Sequence, residues 1–150
     1  MPKTKISDLG SSICVDMNNE KFIPALGNGA TGIPGDLCYI VPGTGKIALS
    51  DKTTAKFFSG ILMESKITGT EAIIADLVPC RLVVPKSGHD YRIRCTIVAV
   101  ADDEMGGGVH FDDDAGKGET TNVTLANSKL GRLSLHAAIG DTVAQITWIE

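Results

Sequence analysis

Three groups of residues in this 150-residue chain have side chains able to do chemistry. The run Pro42-Gly43-Thr44-Gly45-Lys46 ends like a phosphate-binding loop, in which Gly-x-x-x-x-Gly-Lys-[Ser/Thr] wraps backbone N–H groups around phosphates and sets a hydroxyl on Mg²⁺. Ile40 stands at the first glycine position and Ile47 where the hydroxyl is required, so the segment reads as a hairpin turn between short β-prone runs. The acidic runs Asp102-Asp103-Glu104 and Asp112-Asp113-Asp114, with Gly106-Gly107-Gly108 between them, offer hard oxygens suited to Ca²⁺. They miss the EF-hand frame, because Gly116 follows a contiguous Asp run after a single residue, and the stretch reads as a solvated loop. His89, His110 and His136 are three general bases in waiting, each needing a serine and a carboxylate beside it. No Gly-x-Ser-x-Gly elbow accompanies them, and nothing in the sequence joins them. No catalytic residue, metal-binding set or cofactor is therefore assigned, and the chain is expected not to be an enzyme.

The cysteines point the same way. Cys14, Cys38, Cys80 and Cys95 sit inside apolar runs with no Cys-x-x-Cys pair and no short Cys/His spacing, so they read as reduced core residues. The formal charge of −4 and a pI near 5.3 provide no basic field to attract a polyphosphate, and nucleic acid is not an expected partner. The only basic pairings are Lys3 with Lys5 and Arg92 with Arg94, with Tyr91 the sole aromatic beside them. The N-terminal run Met1-Pro2-Lys3-Thr4-Lys5-Ile6 lacks the apolar stretch of a signal peptide, and no run approaches the ~20 apolar residues of a membrane span. Synthesis in a cytosol, no membrane partner and an unglycosylated Asn122-Val123-Thr124 sequon are the expectations.

The elements that would position these residues are short strands. Hydrophobic residues make up 43%, aromatics only 5%, and there are 17 glycines, a composition suited to turns and bulges between strands. The predicted architecture is a mainly β, compact barrel or sandwich-like body of short antiparallel strands with long Gly-rich loops, one domain over 1–150. Residues 1–11 read as a flexible N-terminal arm, Pro24 to Gly35 as a loop, and 101–121 as a long acidic, Gly-rich loop. Ile13, Val15 and Met17 alternate with polar neighbours; Tyr39-Ile40-Val41 and Ile47-Ala48-Leu49 flank the Pro-Gly-Thr-Gly turn as a hairpin. Thr70 to Leu77 is open between helix, strand and loop. Val78 to Val84 and Tyr91 to Val100 read as strands, with Tyr91, Ile93, Cys95 and Ile97 on one face, and Leu133 to Ala137 and Ala144 to Trp148 form a terminal hairpin. Phe57, Phe58, Tyr39 and Trp148 read as large pieces of the core or of a subunit interface.

One order of residues is similar to a known family. Gly35-Asp36-Leu37-Cys38-Tyr39-Ile40, then Gly45-Lys46-Ile47-Ala48-Leu49, a Thr/Lys-rich loop, Phe58-Ser59-Gly60-Ile61-Leu62 and later Leu82-Val83-Val84 resembles the head decoration, or capsid cement, proteins of tailed bacteriophages. The similarity covers about a third of the chain. It implies a β-rich homotrimer on the outer face of an icosahedral shell, made in the host cytoplasm and partnered by the major capsid protein. On that resemblance the arm residues Lys3, Thr4, Lys5 and Ile6 would bind the capsid, and Phe57 and Phe58 would lie at a subunit interface. The alternative expectation is a Ca²⁺-dependent carbohydrate- or receptor-binding β module of a viral fibre, with the acidic loop as its metal site.

Overall fold

The structure is a computed structural model and describes residues 13–14, 20–50, 57–63, 73–97, 108–111, 116–120, 129–135 and 140–149. The protein is mainly β, as predicted, and among the described residues there is no α-helix. The strands are β1 (Lys21–Leu26), β2 (Leu37–Ile40), β3 (Ile47–Leu49), β4 (Gly60–Leu62), β5 (Pro79–Val84), β6 (Asp90–Ile97), β7 (Gly108–Phe111), β8 (Gly118–Thr120), β9 (Lys129–Leu133) and β10 (Val143–Trp148). The first five form one sheet in the order β1-β5-β4-β2-β3; the last five close into a small barrel in the order β10-β6-β8-β7-β9. The expected hairpin is β2–β3, with Tyr39 opposite Ala48, and its turn uses Gly43 and Gly45 at φ of 83° and 69°, values that glycine adopts without strain. The terminal hairpin has β9, Lys129–Leu133, as its first strand rather than the expected Leu133 to Ala137; it pairs antiparallel with β10, Ile146 opposite Leu133.

Apolar doublets set the first sheet between two cores. Leu37, Ile61 and Val83 point to the barrel side, whereas their neighbours Cys38, Leu62 and Leu82 join Ala25 and Ile47 in a separate aliphatic cluster on the other face. Adjacent residues alternate faces along a strand, so a sheet covered on both sides needs apolar side chains at consecutive positions. The barrel is filled by Tyr91, Ile93, Cys95 and Ile97 from β6, the shared face expected from sequence, with Val109, Phe111, Leu130, Ile146 and Trp148. Backbone bonds stitch sheet to barrel: Arg94 N–H donates to Gly35 O at 2.9 Å, Leu37 N–H to Gly116 O at 2.9 Å and Gly116 N–H to Ser50 O at 2.7 Å.

Two expected loops are partly strand. Pro24-Ala25-Leu26 completes β1 instead of opening the Gly-rich loop. Pro24 is tolerated because β1 is an edge: Leu26, two residues on and facing the same way, sends its N–H outward to Gly45 O at 2.9 Å, so the missing Pro24 donor belongs to the open side. The opposite edge, β3, is covered at Ile47, whose carbonyl accepts from the Asn28 amide at 2.9 Å. The segment 101–121 likewise holds β7 and β8 rather than one loop. Its glycines mislead because Gly118 faces the barrel interior, where an added Cβ would lie 2.9 Å from Val109 Cγ1 and 3.0 Å from Ile93 Cδ1. That glycine answers to crowding, not to a bend. Within Thr70 to Leu77, the described residues 73–77 form no strand and run into a turn at Asp76-Leu77.

Candidate functional site

The residues singled out in the sequence meet different fates. Lys3, Thr4, Lys5 and Ile6, His136, and the acidic runs Asp102-Asp103-Glu104 and Asp112-Asp113-Asp114 lie outside the described residues. Phe57 and Phe58 are adjacent but part company. Phe58 turns inward, stacked on Trp148 with ring centroids 5.4 Å apart and edge-on to Phe111 at 5.8 Å, which makes it cement between sheet and barrel. Phe57 stays 55% exposed, its ring 6.1 Å from Tyr39. Of the pair, Phe57 alone presents an aromatic surface. His110 is 7% exposed within the barrel wall, and the run around Lys46 is the β2–β3 turn, with the Lys46 ammonium 2.8 Å from Asp76.

Two polar constellations emerge that spacing could not reveal. The first gathers Glu20, just ahead of β1, His89, in the crossover from β5 to β6, and Tyr91, near the start of β6. The Glu20 side chain is 1% exposed; one carboxylate oxygen lies 2.7 Å from His89 Nδ1 and the other accepts the Tyr91 hydroxyl proton at 2.8 Å. Tyr91 oxygen in turn accepts Lys86 N–H at 2.8 Å. An imidazole oriented by a carboxylate is two-thirds of a hydrolytic triad, so the third corner decides what this cluster can do. Burial, with the neighbouring Glu20 charge adding to it, holds the Tyr91 phenol well above its ordinary pKa. Cys14, bridged to Tyr91 through the backbone, has its thiol pushed up to about 11 by burial and then by Glu20, against a smaller opposing pull from Arg81. A protonated thiol and an engaged phenol are poor nucleophiles at neutral pH. Among the described residues the cluster's hydrogen bonds clasp two distant chain segments together, the one holding Glu20 and the one from Lys86 to Tyr91.

The second constellation lies on the barrel. A cavity of about 190 Å³ is lined, among the described residues, by the Arg94 to Ile97 end of β6, by Lys117 ahead of β8 and by the Gly140 to Thr142 turn ahead of β10. Arg94 Nε and Nη1 are buried without a hydrogen-bond partner. Asp36 is 6% exposed and takes Ile33 N–H on Oδ2 at 2.8 Å. Burial pushes its carboxyl up to about 6, and that hydrogen bond together with the Arg94 and Lys117 charges only partly offsets the push. Among the described residues there is no group of His, Cys, Asp and Glu able to hold a metal ion, and the acidic runs proposed for Ca²⁺ are not among them.

No protein-family model and no curated protein matches this chain in sequence. Of the residues in the two constellations, sequence reading had marked Arg94 as half of a basic pair, His89 as an unattached base, and Cys14 and Tyr91 as core positions. It passed over Glu20, Asp36 and Lys117. The signal for Asp36 was a charged residue inside the otherwise apolar turn-strand junction Ile33-Pro34-Gly35-Asp36-Leu37-Cys38. For Glu20, between Asn19 and Lys21, and for Lys117, between Gly116 and Gly118, there was none.

Proposed function

We propose that this chain is a structural virion protein, a head decoration protein that binds the outer face of an assembled icosahedral capsid as a homotrimer and stabilises it by surface contact rather than by chemistry. One observation carries the reading: the pieces of the resembling segment fold as consecutive strands β2, β3, β4 and β5 of a single sheet. That sheet is buried on both faces and has guarded edges, which suits a rigid block adhering through its outer surfaces. Phe57 supplies an exposed aromatic for the subunit or shell contact, and Lys3, Thr4, Lys5 and Ile6 supply the arm. Individually weak contacts add up when one trimer engages several capsid subunits at once.

Solution mass followed by co-sedimentation with expanded capsid shells tests the proposal. A trimer that sediments with shells, and loses affinity when residues 1–11 are removed or Phe57 is changed to Ser, is the expected result. A monomer that sediments with no shell overturns it. Equal sedimentation with and without residues 1–11 removes the arm from the mechanism.

A further inference from the structure

The cavity on the barrel brings two cations from different segments to one recess. Arg94 comes from β6 and Lys117 from the approach to β8; among the described residues no carboxylate ion-pairs with either. The buried, partnerless Nε and Nη1 of Arg94 are costly in a folded protein, where nearly every such group finds a partner or an ion. A guanidinium fork also matches the geometry of an oxyanion, and an ammonium beside it adds a second charge. At about 190 Å³ the recess falls below the ~300 Å³ at which pockets for drug-sized molecules begin, so it suits a single small group.

We propose that this recess binds a small tetrahedral oxyanion of the sulfate or phosphate class between Arg94 and Lys117. Two cations lining one recess match a doubly charged anion better than a singly charged carboxylate. Among the described residues the charged side chains lining the recess are Arg94, Lys117 and Asp141, with the Cys95 thiol beside Arg94; Glu119 lies opposite the lining residue Thr96, and Asp36 feels both cations without lining the recess. Asp36 takes up a proton below about 6, which removes one negative charge from the surroundings of the two cations. Anion binding therefore tightens as the pH falls through that value.

Sulfate is the suitable probe, because it stays doubly charged throughout this range. Calorimetric titration of the full chain with sodium sulfate at pH 5.5 and 7.5, at constant ionic strength, is expected to give saturable binding that is severalfold tighter at the lower pH. Lys117→Gln, at a half-buried position, is expected to weaken it about tenfold or more, the loss of one charge-assisted contact. Arg94→Gln is expected to abolish it, and Arg132→Gln, at an exposed position on β9, to leave it unchanged. Where Arg94→Gln fails to fold, Lys117→Gln still decides. Non-saturable heats, undiminished binding by Lys117→Gln, or acetate binding more tightly than sulfate would each overturn the proposal.

Discussion

Glu20 and Asp36 are both carboxylates withdrawn from water, and they show how differently the same group is accommodated. Glu20 has a partner for each oxygen, the His89 imidazole on one and the Tyr91 hydroxyl on the other. Among the described residues, Asp36 takes one backbone N–H, from Ile33, on its Oδ2 and feels Arg94 and Lys117 only through space. Direct hydrogen bonds to both oxygens compensate for the lost hydration, whereas charges acting at a distance do so incompletely, which is why burial wins at Asp36. The lesson is that a satisfied carboxylate holds segments together, and an incompletely compensated one marks a region still open to a ligand or a proton.

The largest effect expected from this contrast is at the clasp. Glu20→Ala strips a buried hydroxyl and an imidazole of their shared acceptor, and is expected to cost roughly 3 kcal/mol of unfolding free energy in urea titrations. A loss under about 1 kcal/mol would erase the distinction between the two carboxylates. Asp36→Asn is expected to act in the opposite direction, stabilising the protein by up to roughly 2–3 kcal/mol at pH 7, since a carboxyl raised by about two pH units is ionised in the fold only at a cost. Between about pH 4 and 6 the folded chain holds a proton on Asp36 that the unfolded chain has released. The contribution of this group to stability therefore falls as pH rises through that window, and the advantage of Asp36→Asn is expected to vanish near pH 4. An advantage independent of pH would show that ionisation is not its source. The smallest effect is at Tyr91→Phe, expected to cost about 1 kcal/mol by removing one hydroxyl from the clasp while keeping the ring that meets Trp148 edge-on at 6.4 Å. A cost equal to that of Glu20→Ala would make Tyr91, not the carboxylate, the centre of the cluster.

Adjacent Phe57 and Phe58 show where sequence reading stops. Both are aromatic, both follow a polar stretch, and period-two alternation says only that they face opposite ways. Which one is covered depends on Trp148 and Phe111, contributed by strands far along the chain. The same holds for Pro24 and Gly118, read as breakers because those residue types usually are. Pro24 sits inside a strand because its missing N–H falls on the outer side of an edge strand, away from β5, and Gly118 because a crowded barrel interior excludes a side chain. Strands signalled by β-branched and apolar runs were readable, including β2, β3, β5, β6 and β10. Short strands embedded among charges and glycines, β7 and β8, were not, because four residues of pattern are too few to outweigh their flanks.

What this sequence determined by itself was the mainly β architecture, the β2–β3 turn and the inward face of β6, all of which depend on residues close together in the chain. The tertiary structure alone decided that one sheet would be sandwiched between two cores, that Glu20 would meet His89 across 69 residues, and that Arg94 and Lys117 would line one recess and both act on Asp36. Local preference is set by bonds and sterics within a few residues. Burial and charge depend on whichever distant segments fold against them.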